Sequence, residues 1–296
     1  MKIVHDTRSL DLDRTQSVGF VPTMGALHDG HSACIEEAAS LSEQVVVSIY
    51  VNPTQFNQGT DLQTYPRQLE QDIVLARDHG ATVAYIPDDR EIYPDGIEAA
   101  HEQAGSILLP SVACRPQLED RCRPGHLAGM IQVVDRLFQL VEPTIACFGE
   151  KDYQQLLTVK AVFEGSERFP GLRIHPCRTI RQADGLACSS RNKLMDEGER
   201  ARAVGMARAL HVSSYCETVP EAESSMLNTL KEHGLDCEYA VVRDAGTLEE
   251  VVPGNPTRSL IAARCGQVRL IDNAPGPPLE DPDTAEHAQE PPRDLG

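Results

Sequence analysis

Short, almost unbroken apolar runs recur along this chain, and each stops at a proline or glycine. Val18-Gly19-Phe20-Val21 ends at Pro22, and Val45–Val51 ends at Asn52-Pro53. Thr82–Ile86 ends at Pro87, and Thr144–Phe148 ends at Gly149. Strands apolar at every position, not at alternate ones, are buried on both faces, as in a parallel sheet. Between the runs lie helix-like stretches. One begins at Leu69, Ile73 and Ala76 and stops at Gly80; another carries Ile131, Val134, Leu137, Phe138 and Val141 at helical spacing. This βαβα order predicts an α/β, Rossmann-like doubly wound domain over residues 1–177. Helical patterns at 196–212 and 220–233 precede strand-like 238–242, 259–263 and 268–271, which predicts a smaller C-terminal α+β lid domain over 178–273. The stretch 274–296 holds six prolines and six acidic residues against one arginine, and reads as a disordered acidic tail.

Charge narrows the function. Twenty-seven basic against 45 acidic residues give a net −18, which argues against nucleic acid, where phosphate contacts need clustered Lys and Arg. No apolar run approaches the roughly 20 residues of a membrane span, so no membrane partner is expected. Nine scattered cysteines with no CxxC predict a reduced, cytoplasmic chain.

Four polar stretches fall where strands give way to helices. The first is Pro22-Thr23-Met24-Gly25-Ala26-Leu27-His28-Asp29-Gly30-His31, ahead of a helix expected over Ser32–Ala39. Glycines there let backbone approach a ligand, and the helix N-terminus suits phosphate. His28 and His31, three apart, are placed to hydrogen-bond phosphates and stabilise charge on a leaving pyrophosphate. The second is Val51-Asn52-Pro53-Thr54-Gln55-Phe56, where the Gln55 amide suits a hydroxyl or carboxylate. The third, Cys147–Gln155, offers Lys151 to a phosphate, Asp152 to ribose hydroxyls, and Gln155 to the same cleft as Gln55. The fourth, Ala187-Cys188-Ser189-Ser190-Arg191-Asn192, brings two hydroxyls and a guanidinium suited to triphosphate oxygens. Taken singly, each stretch also reads as an ordinary turn, cap or polar loop.

The first stretch resembles the HxGH signature of nucleotidylyltransferases, and the fourth is similar to the KMSKS loop of the same superfamily, with Arg191 in place of its lysine. Together with YPR at 65–67, EIYPDG, RPGH and RLIDN, the stretches resemble the pantoate–β-alanine ligase (pantothenate synthetase) family from residue 22 to 273. Cys188, and Leu127-Ala128 after RPGH, depart from the family's usual residues.

The resemblance implies an ATP-dependent condensation of pantoate with β-alanine through a pantoyl adenylate, releasing AMP and pyrophosphate. It implies that His28, His31, Lys151 and Arg191 act in catalysis, with His31 as proton donor. Around the nucleotide it places Met24, Gly25, Ala26, Leu27, Asp29, Gly30, Gly149, Glu150, Asp152, Ile180, Cys188, Ser189 and Ser190. Gln55 and Gln155 would hold pantoate, and Gln55 would also lie near β-alanine. Mg²⁺ is implied with ATP, with Asp72 as a candidate ligand from its position after YPR. The family is usually a homodimer. A sister nucleotidylyltransferase would share HxGH but gives no reason for the VNPTQF and GEKDYQQ pairing. A tRNA-charging enzyme fits the charge poorly, and a non-catalytic nucleotide-binding regulator stays open on composition alone.

Overall fold

The structure is a computed structural model that describes residues 1–56 and 59–278. It divides into two compact units, Met1–Lys193 and the chain from Leu194 onward. The division thus falls after the SSRN stretch, later than the expected boundary at 177.

In the first unit the strands are β1 Lys2–Val4, β2 Val18–Thr23, β3 Gln44–Ile49, β4 Val83–Tyr85, β5 Ile145–Gly149 and β6 Arg173–Cys177. Its helices are α1 Asp29–Leu41, α2 Gly59–Thr64, α3 Leu69–Asp78, α4 Asp89–Ile92, α5 Ile97–Ala104, α6 Glu119–Cys122, α7 His126–Val141 and α8 Tyr153–Phe163. The strands form one sheet in the order β1-β4-β3-β2-β5-β6, and every pairing is parallel.

Residue alternation explains why the sheet is buried twice over. Val18, Phe20, Val46 and Phe148 enter one core cluster with Leu137 and Phe138 of α7. Val21, Val45, Val47 and Cys147 enter a second, with Ile35 and Ala38 of α1 and Ala76 of α3. The order reverses between β2 and its neighbour β5, and crevices above such switch points hold ligands in open α/β sheets. HxGH follows β2 and GEKD follows β5, so both stretches flank the reversal.

The second unit carries α9 Glu197–Ala203, α10 Gly205–Ser213 and α11 Val219–Glu232, then an antiparallel sheet of β7 Asp236–Asp244, β8 Thr257–Cys265 and β9 Val268–Pro275. Met206, Leu210, Met226, Leu230 and Ile261 are among its buried apolar side chains. The helical pattern at 196–212 is two helices here. A Cβ on Gly205 would lie 2.6 Å from the His233 ring, so the chain needs glycine where the helices break.

The expected tail is corrected at its start. Ala274 and Pro275 finish β9 against Ser259 and Arg258, Gly276 N–H donates to the Thr257 carbonyl, and Thr257 Oγ1 donates to the Pro277 carbonyl. The remainder, 279–296, lies outside the described residues.

Candidate active site

A single pocket in the first unit gathers most of the expected residues. Met24, His28, Gly30, His31, Gln55, Gly149, Lys151, Asp152, Gln155, Ile180, Cys188, Ser189, Ser190 and Arg191 all line it. Its space is about 1360 Å³ with the open mouth included. Gly25, Ala26, Leu27, Asp29 and Glu150 are not in the lining; the first three form the turn behind it.

That turn is unusual. Gly25 has φ +75° and Ala26 φ +51°, a left-handed conformation costly for a residue with a Cβ. Asp72, from α3, holds it: one carboxylate oxygen accepts Ala26 N–H at 2.9 Å and the other accepts Leu27 N–H at 2.7 Å. Gln68 also donates to Asp72, at 3.2 Å. The expectation of Asp72 as a metal ligand is corrected here. Its side chain is 1% exposed, outside the pocket lining, and both oxygens are committed to backbone N–H groups.

The HxGH residues begin α1 and do not precede it. His28 is the N-cap, with Nδ1 accepting Gly30 N–H at 3.1 Å, while His31 Nδ1 accepts His28 N–H at 3.3 Å. The pair closes a capping box in imidazoles, a role usually filled by Ser, Thr or Asp with Glu. With each Nδ1 accepting, the proton of each neutral ring is assigned to Nε2. The ring centroids are 4.1 Å apart. Burial first, then the charges of Lys151 and Lys193, holds His28 down at about 4. Burial, then the neighbouring His28, holds His31 down at about 3. At neutral pH the site therefore presents two uncharged N–H donors at a helix N-terminus, beside the Lys151 ammonium. Such a group suits an anion with several oxygens.

A chain of hydrogen bonds orients Gln55. Asn52 Nδ2 donates to the Gly129 carbonyl at 3.0 Å and to Gln55 Oε1 at 3.1 Å, which leaves Gln55 Nε2 facing Met24 Sδ. Tyr93 donates to Asn52 Oδ1 at 2.7 Å and fixes the asparagine from its other side. Gln55 thus offers N–H donors to the pocket, not the mixed donor and acceptor its type allows. Gln155 lines the pocket, whereas its neighbour Gln154 is structural, bonded to Glu119 N–H, the Val112 carbonyl and Asp120.

Several lining residues were assigned no role from sequence. Arg123 and His126 belong to RPGH, quoted only as a matching stretch. His126 Nδ1 donates to the Gln55 carbonyl at 3.0 Å, so Nε2 accepts from Arg123 Nη1 at 3.0 Å and aims the guanidinium. Burial, then Arg123, holds His126 down at about 4 and keeps it an acceptor. Tyr65 of YPR hydrogen-bonds Ser190. Thr179 carries a buried hydroxyl with no hydrogen-bond partner among the described residues. Met130, Val133, Val134 and Leu137, on one face of α7, make an apolar wall. RPGH, as a motif, was the available signal for Arg123; Thr179 had none.

Comparison with known proteins accords with this constellation. The family profile described as Pantoate-beta-alanine ligase matches residues 2–275. The chain belongs to the pantoate-beta-alanine ligase family. Within that family, it is 39% identical over 283 residues to a pantothenate synthetase of Neisseria meningitidis serogroup C, covering 92% of this chain and 98% of that one. A crystal structure of pantothenate synthetase from Thermus thermophilus superposes with TM-score 0.82 at 36% identity, over 93% of this chain and 99% of that chain. The Francisella tularensis pantoate-beta-alanine ligase, described as complexed with beta-gamma ATP and beta-alanine, gives 0.75 at 34%, over 93% and 97%. Both structural relatives span the sheet and the smaller unit, as expected of a ligase of this family.

Proposed function

We propose that this chain joins pantoate to β-alanine at the expense of ATP. A free carboxylate is a poor electrophile, so the pantoate carboxylate first attacks the α-phosphorus of ATP and expels pyrophosphate. The β-alanine amine then attacks the acyl carbon of the pantoyl adenylate, and AMP leaves.

His28 and His31 donate Nε2–H to phosphate oxygens as charge builds on the departing pyrophosphate. Lys151, Ser189, Ser190 and Arg191 hold the phosphates, and Met24, Gly149, Asp152 and Ile180 border the nucleotide. Gln55 gives its N–H groups to pantoate oxygens, Gln155 binds the same substrate, and the α7 wall suits the branched hydrocarbon of pantoate. Arg123, aimed by His126, complements a carboxylate. Mg²⁺ would come with ATP, coordinated mainly by phosphates and water, and would neutralise phosphate charge. Asp152 is the carboxylate in the described pocket lining that fits such an ion. A homodimer follows from the family resemblance, and a cytoplasmic location accords with nine free thiols.

The observation that carries this reading is one pocket holding both the N–H-presenting histidine pair at the start of α1 and the oriented donors of Gln55. The test is to incubate the chain with ATP, Mg²⁺, pantoate and β-alanine and identify the products. Pantothenate, AMP and pyrophosphate are expected; ADP and phosphate would replace the adenylate by an acyl phosphate. With pantoate alone, pyrophosphate should form to about one equivalent per site, because adenylation needs no amine.

A further inference from the structure

On the α1 side of the sheet, three ligand-type side chains converge from two elements. Glu37 comes from α1, and His175 and Cys177 from the edge strand β6. His175 and Cys177 are two residues apart on a strand, so they point to the same face. His175 Nε2 lies 2.6 Å from Glu37 Oε2. The donor atoms of all three fall within 4.8 Å of one another, the one such group among the described residues. None of the three lines the nucleotide pocket.

We propose that Glu37, His175 and Cys177 form a Zn²⁺ site, with water in the fourth position. One thiolate, one imidazole and one carboxylate make a borderline-soft donor set that zinc takes readily and Mg²⁺ does not. Ligand bonds of about 2.0–2.3 Å in a tetrahedron place donor atoms roughly 3.3–3.6 Å apart. To reach that, the Glu37–His175 pair, 2.6 Å apart, spreads, and the three donor atoms, all within 4.8 Å of one another, close around the ion. Glu37 and His175 are each one-third exposed, which supplies an entry path and room for the water, while Cys177 is fully buried behind them.

Without metal the sulfur is a thiol: hydrogen bonds to Cys147 and Cys34, then burial, push Cys177 up. Binding zinc therefore expels the thiol proton. The ion would tie the middle of α1, the helix whose first turn holds His28 and His31, to the sheet edge.

The test uses the full chain, stripped with a chelator, reloaded with Zn²⁺ in excess Mg²⁺ and passed over a desalting column. About one zinc per chain should remain, and the melting temperature should rise. Co²⁺ loading should give tetrahedral d–d bands with a thiolate charge-transfer band, which Cys177→Ser removes. Glu37→Gln and His175→Ala alter partly exposed side chains and should fold. Each should weaken zinc by more than the ~10–100-fold typical of losing a supporting residue. Cys114→Ser, at an exposed thiol elsewhere, should keep the metal. Failure of the wild-type chain to hold zinc, or equal retention by Glu37→Gln and His175→Ala, would overturn the site, as would a Co²⁺ spectrum with no thiolate band.

Discussion

Asn52 donates an amide hydrogen to Gln55 Oε1 at 3.1 Å, and that contact sets what Gln55 can offer a ligand. With its oxygen engaged, Gln55 recognises acceptors only, as the oxygens of a hydroxy acid are.

Removing those donors should therefore damage pantoate use and spare ATP. Gln55→Ala and Gln155→Ala should each raise the apparent pantoate KM by ten- to a hundredfold, on the order of 1.5–3 kcal/mol per charge-assisted bond. Asn52→Ala should produce a smaller version of the Gln55→Ala defect, since it frees the amide to turn. Lys151→Ala should show the opposite bias. Calorimetric ATP binding and pantoate titration of all four variants check this; equal loss of ATP binding by the glutamine variants would dissolve the separate pantoate pocket.

Gly129 should tolerate no side chain. A Cβ there would lie 2.4 Å from the Thr54 carbonyl oxygen and 2.8 Å from Gln55 N, both backbone atoms. Gly129→Ala must push the Asn52–Gln55 turn away from α7. The expected cost is about 1–3 kcal/mol of stability together with a raised pantoate KM. A denaturation midpoint and KM both equal to wild type would show that the turn has room to move.

The buried histidines make stability depend on pH in a defined direction. His28, His31 and His126 sit at about 4, 3 and 4 in the folded chain, against about 6.5 when exposed. Between these limits the unfolded chain binds more protons, so stability is fully present above pH 6.5 and falls as pH drops toward 4. Each histidine should cost on the order of 1–2 kcal/mol at pH 5. Urea midpoints at pH 7.5 and pH 5 should differ less in His126→Gln than in wild type. His31→Ala should also slow pyrophosphate release roughly a hundredfold; a full-rate variant would remove its phosphate role.

The end of β9 supplies a further expectation. A chain stopped at residue 273 loses the pairing of Ala274 and Pro275 and the two contacts around Thr257. It should melt several degrees below a chain stopped at residue 278. Coincident melting curves would show that this stretch contributes nothing.

Asp72→Asn separates a clamp from a metal ligand. An amide can accept only one of the Ala26 and Leu27 N–H groups and turns a donor toward the other. Activity and melting temperature should both fall, while the Mg²⁺ concentration giving half-maximal rate stays unchanged. A shifted Mg²⁺ requirement with an unchanged melting temperature would return Asp72 to the metal.

The parallel sheet was readable because β2, β3 and β5 carry apolar residues on both faces, a pattern few other folds require. β6 was not, because Arg173-Ile174-His175-Pro176-Cys177 carries charge and a proline, which an edge strand tolerates and a central one does not. The start of α1 was misplaced because its cap is built from histidines. In the site, HxGH, Gln55, Lys151 and SSR stood out by residue type and spacing. Asp72 and His126 act through backbone groups 45 and 71 residues away in sequence, and no local pattern announces such a bond.

The Asp72 carboxylate also shifts a cost from one equilibrium to another. Ala26 takes up its left-handed conformation when the chain folds, so the ordering entropy of the turn is charged to global stability and not to nucleotide binding. Amide hydrogens of Ala26 and Leu27 should accordingly exchange slowly even without ATP. ATP then meets a rigid cradle, and its affinity is decoupled from loop closure.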